Sequence, residues 1–305
     1  MPARGGRLTR GASAAELVRA PSAASRRRTG PGFGAGGLIM AAALAAAASA
    51  RAADQPLWEF GLGAGFLALN DYRGADTTHL YLLPVPYFVY RGRLLKADRD
   101  GLRELLLEEE RVELNVSVSA TPPVRNNAAR AGMPDLKPTF EIGPQLSVHL
   151  WRSNDQRLKL DFRVPARATF TFEAIPRYVG VFVAPSVNLD IAQLPGEGGW
   201  KIGLLAGPLF ATQRFDDYFY TVAPQYAKAG RPAYQAPGGY SGTQVLASLS
   251  RRYPSFWLGA YVNHDSLAGA SFAASPLVKS NSYWSAGFAV TWIIRQSTQL
   301  VPSDE

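Results

Sequence analysis

Residues 157–172 read RLKLDFRVPARATFTF, and this stretch decides the fold that the sequence predicts. Its odd positions are polar or proline, and its even positions are apolar, without a break. The odd set is Arg157, Lys159, Asp161, Arg163, Pro165, Arg167, Thr169 and Thr171; the even set is Leu158, Leu160, Phe162, Val164, Ala166, Ala168, Phe170 and Phe172. Because successive side chains of a strand point to opposite faces, the pattern predicts a strand with one polar and one apolar face.

The same alternation recurs along the chain. It is clean over 112–120 and 141–150, and weaker over 179–191, 200–213, 242–251, 255–264 and 283–294. Such strands run about 10–15 residues, whereas soluble strands usually run about 5–6 and membrane-spanning strands about 9–11. After residue 53 the sequence has no apolar run of the roughly 18 residues that mark a membrane-spanning helix. The sequence therefore predicts an all-β protein, an antiparallel transmembrane β-barrel.

The N-terminal segment predicts export. Residues 37–50 form an apolar run, GLIMAAALAAAASA, that follows the basic Arg26–Arg28 and ends in small residues suited to cleavage. Seven of the eight net positive charges lie in residues 1–53, so the basic composition belongs to this segment and does not indicate nucleic-acid binding. We predict a cleavable signal peptide and extension over 1–53, a barrel over 54–294 and a C-terminal tail over 295–305.

The lengths of the connections predict the number of strands. Those at 152–156, 192–199 and 252–255 are short, and those at 121–137, 214–241 and 265–282 are long, which matches short periplasmic turns and longer external loops; the short external connection 173–177 is an exception. Strands at 57–69 and 79–90 open the barrel. An even total then requires two short strands, about 93–97 and 102–107, around an Asp98–Gly101 turn, which gives about twelve strands. The total is about ten if this segment is one bulged strand, and residues 102–110 also have helical propensity.

The polar face of residues 157–172 carries a row of charges, namely Arg157, Lys159, Asp161, Arg163 and Arg167. Glu113, Glu141 and Asp190 lie on the polar faces of other predicted strands. Ion pairs between the two sets would fill the lumen, the interior of the barrel, whereas unpaired arginines would make an anion-selective pore. All six tryptophans (Trp58, Trp151, Trp200, Trp257, Trp284 and Trp292) lie in or at the ends of predicted strands. Aromatic girdles form near strand ends in membrane barrels, and ordinary core positions are the alternative.

Candidate chemistry in the chain is sparse. Cysteine is absent, and three histidines without a His-x-x-x-His spacing do not indicate a transition-metal site. His79 and His149 have no partner that the sequence identifies. Asp216, Asp217 and His264 could meet at the barrel rim as a hydrolase site, but we interpret them as polar surface residues. We therefore predict no enzyme activity, no cofactor and no metal.

Four stretches carry a family resemblance: LPVPY at 83–87, DYFYTV at 217–222, GRPAYQAPGGYSG at 230–242 and SPLV at 275–278. In order and spacing they resemble the MltA-interacting protein (MipA/OmpV) family over essentially the whole mature region, and the Gly-Arg-Pro-x-Tyr loop is the most telling. The last predicted strand, with Gly287, Val290 and Trp292, resembles the signal that the barrel-assembly machinery recognises. That signal usually ends a chain, but residues 293–305 follow it here.

The resemblance implies a bacterial outer-membrane scaffold, in contact with outer-membrane lipid, that brings a lytic transglycosylase together with a penicillin-binding protein. A small-solute channel or porin and a surface adhesin remain the alternatives. Glycines in the loop 214–241 would let it turn sharply over the barrel mouth. For partner contact or plugging of the barrel, the candidate residues in this loop are Arg231, Pro232, Tyr234, Gly238, Gly239 and Tyr240.

Overall fold

The computed structural model describes residues 55–91, 95–98, 101–104, 107–109, 111–192 and 199–301. The predicted signal peptide over 1–53 lies outside these residues. The strands are β1 (Gln55–Pro56), β2 (Trp58–Asn70), β3 (Thr78–Arg91), β4 (Leu95–Asp98), β5 (Gly101–Glu104), β6 (Leu107–Glu109), β7 (Val112–Thr121), β8 (Thr139–Arg152), β9 (Leu158–Thr171), β10 (Tyr178–Val183), β11 (Ser186–Ala192), β12 (Trp200–Ala211), β13 (Gly239–Arg252), β14 (Phe256–Ser266), β15 (Ser282–Gln296) and β16 (Leu300–Val301). One α-helix, α1 (Gln213–Tyr220), and two 3₁₀-helices, Ala128–Arg130 and Pro224–Tyr226, lie in the connections.

The large sheet is antiparallel and closes on itself. Its strands follow the order β5-β4-β3-β2-β15-β14-β13-β12-β10-β9-β8-β7-β6, and β11 also lies between β12 and β9. β10 and β11 thus form one interrupted strand. The two ends of the sheet, β5 and β6, are separated in the chain only by residues 105–106, and β5 also lies beside β7.

If β5 and β6 are likewise counted as one interrupted strand, the 14 strands of this sheet occupy the predicted twelve positions around a barrel. Asp98 lies opposite Gly101 in the register of β4 and β5, so these two strands form the predicted hairpin. The alternative helix over 102–110 is wrong, because residues 101–104 and 107–109 are strands. The predicted turn residues Arg99 and Asp100 lie outside the described residues.

The barrel has a polar interior and an apolar exterior. Along β9, Asp161, Arg167 and Thr169 are buried, whereas Phe162 between them is exposed. Exposed apolar side chains continue around the wall, with Leu80 at 71% and Phe66 at 50% exposure. A soluble protein would place these groups inside, because water disfavours exposed apolar surface. The arrangement is that of a transmembrane barrel, whose outer surface faces lipid.

The two ends of the barrel differ in the length of their connections. One end carries the long segments 122–138, 212–238 and 267–281, together with 71–77 and 172–177. The other end carries short connections such as 153–157 and 253–255, and there β1 pairs with β16. The lengths match the short and long connections that the sequence predicted, with 172–177 again the exception. Among the described residues, no helix is both long enough and apolar enough to span a bilayer.

Candidate functional site

The long connections pack together over one end of the barrel. We call the segments 71–77, 122–138, 212–238 and 267–281 the cap. Their buried apolar side chains form one core with the strand residues Phe182 and Leu209. The cap contributes Tyr72, Val124, Leu136, Phe215, Phe219, Tyr220, Val222, Leu267, Phe272 and Leu277. Within it the rings of Tyr220 and Phe272 stack at 3.7 Å with an interplanar angle of 6°. The cap is therefore a packed layer with its own core.

Helix α1 brings aromatic side chains into this core. Phe215 and Phe219, one helical turn apart, are both buried and their rings lie 5.1 Å apart. This helix is not among the elements predicted from the sequence. The spacing of the two phenylalanines is the signal that identifies its buried face.

Arg231, in the loop that carries the resemblance most clearly, holds two cap segments together. Its guanidinium donates hydrogen bonds to the carbonyl of Tyr226 from Nε and Nη2, at 3.2 and 2.7 Å. Nη1 donates to the carbonyls of Ala129 and Ala131, at 2.9 and 3.0 Å. Arg231 is buried. One side chain thus satisfies three carbonyls on the connections 122–138 and 212–238.

The other predicted loop residues have less uniform surroundings. Gly238 approaches α1 so closely that an added Cβ would lie 2.2 Å from the backbone nitrogen of Gln213. Gly239 has a φ of 129°, which favours glycine. Tyr234 pairs with Val222 through the backbone, and the Tyr240 hydroxyl lies 2.6 Å from the hydroxyl oxygen of Thr243. Pro232 is exposed.

A second arginine, Arg130, ties the connection 122–138 to α1. Its Nη1 donates to the carbonyl of Phe219 at 2.8 Å, and burial lowers the pKa of its guanidinium. Nearby, the Asn127 amide donates to Asp71 at 2.6 Å, and Asp71 also lies 2.9 Å from Nε2 of His79. The structure thus gives His79 a partner that the sequence did not identify. The sequence could not reveal the pair, because it depends on how the connection 71–77 folds back.

The motif at 275–278 also belongs to the cap. The hydroxyl of Ser275 donates to the carbonyl of Tyr220 at 2.7 Å, and Leu277 is fully buried. The hydroxyl of Tyr72 donates to the carbonyl of Leu277 at 2.8 Å. Asp217 accepts hydrogen bonds from Thr221 and Gln235. Three of the four resemblance motifs thus hold cap segments to one another.

Below the cap, the charged row of β9 makes ion pairs across neighbouring strands. Nε of Arg167 lies 2.8 Å from Glu141, and both side chains are buried. Arg163 lies 3.1 Å from Asp161 and 3.2 Å from Asp190.

The other members of this row have different surroundings. Arg157 is half-exposed near Asp155, and Lys159 lies opposite Asp190 in the register. Asp161 also lies 2.8 Å from Nδ1 of His149, a partner that the sequence did not identify.

The short-connection end of the lumen contains a cluster that was not predicted from the sequence. Trp257 is 1% exposed and packs beside Tyr87, with ring centres 6.5 Å apart. Its indole covers Gly259, where an added Cβ would lie 1.9 Å from the ring. Glu59 accepts from the Tyr87 hydroxyl at 3.0 Å and from Arg252 at 3.1 Å.

Trp257 does not lie in a girdle, because it is buried and points into the lumen, which is the core position that the sequence left open. Trp151, Trp284 and Trp292 are exposed on the wall as predicted. A tryptophan two residues from a glycine on the same face was the available signal, because the glycine leaves room for the ring.

The residues of the alternative rim hydrolase are not brought together. His264 lies on the outer face of β14, where its ring packs 4.6 Å from that of Trp284. Its strand neighbours Asn263 and Asp265 point inward and are buried. Asp216 is fully buried in the cap. No group of His, Cys, Asp or Glu side chains in the described part of the chain is arranged to hold a metal ion.

The residues of the predicted assembly signal lie on both faces of β15. Trp292 is exposed on the outer face, as is the neighbouring Phe288, and Val290 shares this face. Gly287 faces the lumen, where the ring of Tyr261 lies over it at 2.3 Å from the position of an added Cβ. β15 is paired on both sides, with β14 and β2, in the closed barrel.

A cavity separates the cap from the ion pairs of the lumen. It is lined by Tyr72, Arg73, Thr121, Glu141, Arg167, Phe182, Ala184, Leu209, Phe215, Phe219, Tyr220, Gln244 and Asp265. Its empty volume is about 600 Å³ up to its open side, but the centre of a water molecule can reach only about 60 Å³ of it. This space admits a few water molecules or one small solute.

Comparison with known proteins gives one extended match. The sequence profile described as "MltA-interacting protein MipA" matches residues 62–294. No curated protein sequence matches the chain. Among solved structures, a bacterial polysaccharide outer membrane secretin is similar at 11% identity and a TM-score of 0.37, over 79% of this chain and 99% of that chain. The Ralstonia pickettii toluene transporter TbuX is similar at 9% identity and a TM-score of 0.24, over 80% and 71% of the two chains. Scores this low do not establish a shared fold.

Proposed function

The chain belongs to the MltA-interacting protein MipA family, and from this membership we propose that it is a closed outer-membrane barrel that acts as a scaffold for peptidoglycan enzymes. The partners in this proposal are a lytic transglycosylase and a penicillin-binding protein. The family and the inverted polarity of the barrel point to the outer membrane. The proposed role is structural, with no reaction carried out by the chain itself.

The observation that favours a scaffold over a channel is the filling of the lumen. A conducting pore needs a continuous aqueous path with accessible charges. Here Arg167 and Arg163 are paired with carboxylates, and the cap packs over one end of the lumen. At the other end Trp257 and Tyr87 occupy the interior. These features support a barrel that serves as a membrane anchor with a binding surface.

The partner surface in this proposal is the short-connection end. In outer-membrane barrels the short turns face the periplasm, where peptidoglycan lies. Asp155 is exposed in the connection 153–157 at this end, and Asp76 is exposed in the cap at the other end. The two acids offer a matched pair of positions for charge reversal, because neither belongs to the buried ion pairs.

The test is recovery of partners by the full chain from crosslinked membranes in mild detergent. We expect a lytic transglycosylase and a penicillin-binding protein in the eluate, reduced several-fold by Asp155→Arg and unchanged by Asp76→Arg. Heat-modifiable migration on gels would show that each variant is folded. Repeated recovery of neither enzyme would refute the scaffold role. Loss with Asp76→Arg alone would move the partner surface to the cap.

A further inference from the structure

The cavity beneath the cap brings opposite charges and aromatic rings to one small space. The guanidinium carbons of Arg73 and Arg167 lie 6.0 and 5.8 Å from the centre of the Phe182 ring. Asp265 and Glu141 are the carboxylates of the cavity wall, each beside one of these arginines. Cations, anions and apolar surface therefore all face the same volume.

The two ion pairs differ in closeness. Arg167 and Glu141 are in full hydrogen-bond contact at 2.8 Å. In the other pair, Nη2 of Arg73 and Oδ1 of Asp265 are 3.6 Å apart, which is too long for a hydrogen bond. Both of these atoms are buried and neither has a hydrogen-bond partner of normal geometry, whereas Nε of Arg73 donates to the Tyr283 hydroxyl and Oδ2 of Asp265 accepts from the Asn263 amide, each at 2.8 Å. Asp265 is 2% exposed.

Buried charged atoms without hydrogen bonds are costly, so this pair favours a guest that bonds to both. A group with a donor and an acceptor a few ångströms apart can accept from Nη2 of Arg73 and donate to Oδ1 of Asp265. Charged groups make such bonds roughly twice as strong as neutral ones. An ammonium and a carboxylate on one carbon atom meet both requirements.

We propose that the cavity binds a small zwitterion of the α-amino-acid class, with its carboxylate on Arg73 and its ammonium on Asp265. A hydrogen or methyl side chain would lie against Phe182 and Ala184. The 60 Å³ open to the centres of water molecules limits the guest to about five or six non-hydrogen atoms, as in glycine or alanine. This inference goes beyond the scaffold role and does not depend on it.

The test is titration calorimetry of the full-length barrel, refolded in detergent at neutral pH, with glycine, L-alanine and D-alanine. We expect saturable binding at one site per barrel. Acetate, methylammonium and glycerol each lack one or both charges, so they should bind about tenfold more weakly or worse. Leucine should not bind, because its side chain exceeds the available space.

Two variants assign the binding to this cavity. Asp265→Asn keeps the side-chain size but removes the anion, and it should weaken glycine binding about tenfold or more. Ala184→Leu keeps both charges and fills the space, and it should abolish binding. Asp76→Asn, an exposed acid of the same cap, is the matched control and should bind as the parent chain does.

Each result bears on the proposal. Equal affinity for acetate would overturn it in favour of a simple anion site, and equal affinity for glycerol in favour of a neutral polar site. Absence of binding in a folded barrel would mean that the cavity holds water only. Recovery of peptidoglycan enzymes by Asp265→Asn separates this proposal from the scaffold role, since that role does not use the cavity.

Discussion

Replacing Asp216 with asparagine is expected to stabilise the cap at high pH. Asp216 lies in α1, is fully buried, and neither of its carboxylate oxygens has a hydrogen-bond partner of normal geometry. Burial raises its pKa to about 7, although nearby Arg73 and Ser241 oppose the shift and Asp217 adds to it. Desolvation of the charged form therefore outweighs the attraction of the guanidinium.

The sign of the effect follows from proton linkage. The folded cap holds the Asp216 proton more tightly than the unfolded chain does, so this contribution to stability is complete below about pH 4. It is lost as the pH rises through the folded value of about 7. A shift of about three units corresponds to roughly 4 kcal/mol, which is an upper estimate. Asp216→Asn resembles the protonated acid and should avoid the loss.

Hydrogen exchange of the cap amides, read by mass spectrometry at several pH values, measures the free energy of local opening. At pH 8 the Asp216→Asn cap should open less readily than the parent by about 1–4 kcal/mol, and at pH 4 the two should be similar. Asp217→Ala is the comparison at the neighbouring acid. It should lower cap stability at pH 8, because Oδ1 of Asp217 accepts hydrogen bonds from Thr221 and Gln235 and alanine has no acceptor to replace it.

A destabilised Asp216→Asn cap at pH 8 would refute this reasoning. That outcome would mean that Asp216 is ionised in the folded protein and is held by the charge of Arg73. An equal rise in the free energy of cap opening at every pH would also contradict the reasoning, because the stabilisation would then not depend on protonation of Asp216.

Other predictions concern the remaining contacts. Arg231→Ala leaves three loop carbonyls without their donor, so a protease should cleave the cap loops about tenfold faster. The exposed Arg125→Ala is the control. Equal cleavage rates in the two variants would contradict the role of Arg231 in holding the cap segments together. A double-mutant cycle with Arg167→Gln and Glu141→Gln should give roughly 1–3 kcal/mol of coupling by denaturant unfolding, and near-zero coupling would show that the 2.8 Å pair does not stabilise the barrel. Trp257→Ala should lower the free energy of unfolding by about 3–5 kcal/mol, because it empties a buried site. It should not produce conductance in planar bilayers, because the cap still covers the other end of the lumen. Discrete channel openings would show that the indole is the main barrier to conduction.

The wall of the barrel was predictable because one simple physical demand acts on every strand. Lipid outside and a polar lumen inside impose a period of two. The alternation over 157–172 therefore predicts β9, observed as Leu158–Thr171, to within a residue at each end. The hairpin of β4 and β5 followed from the turn residues at Asp98–Gly101 and from the need for an even strand number.

The cap was not predictable in the same way, because its contacts join residues far apart in sequence. Arg231 bonds to carbonyls about 100 residues earlier in the chain, and no local pattern encodes that meeting. Helix α1 has only 8 residues, too few for a clear helical period. The inward orientation of Trp257 depends on which face of β14 is polar, and a single amphipathic tryptophan does not decide that.

The positions of the resemblance motifs favour a role in closing the barrel over a role in binding a partner. Arg231, Ser275 and Asp217 all make their hydrogen bonds within the cap, at the long-connection end. If long connections face outward, as in other outer-membrane barrels, these motifs lie on the side of the membrane away from peptidoglycan. Their hydrogen-bonding groups are occupied inside the protein, so they are poorly placed to recognise a periplasmic enzyme. Under the scaffold proposal, the partner surface would therefore lie at the short-connection end, where Tyr87 of the motif at 83–87 is buried in the lumen and does not contribute to an exposed surface.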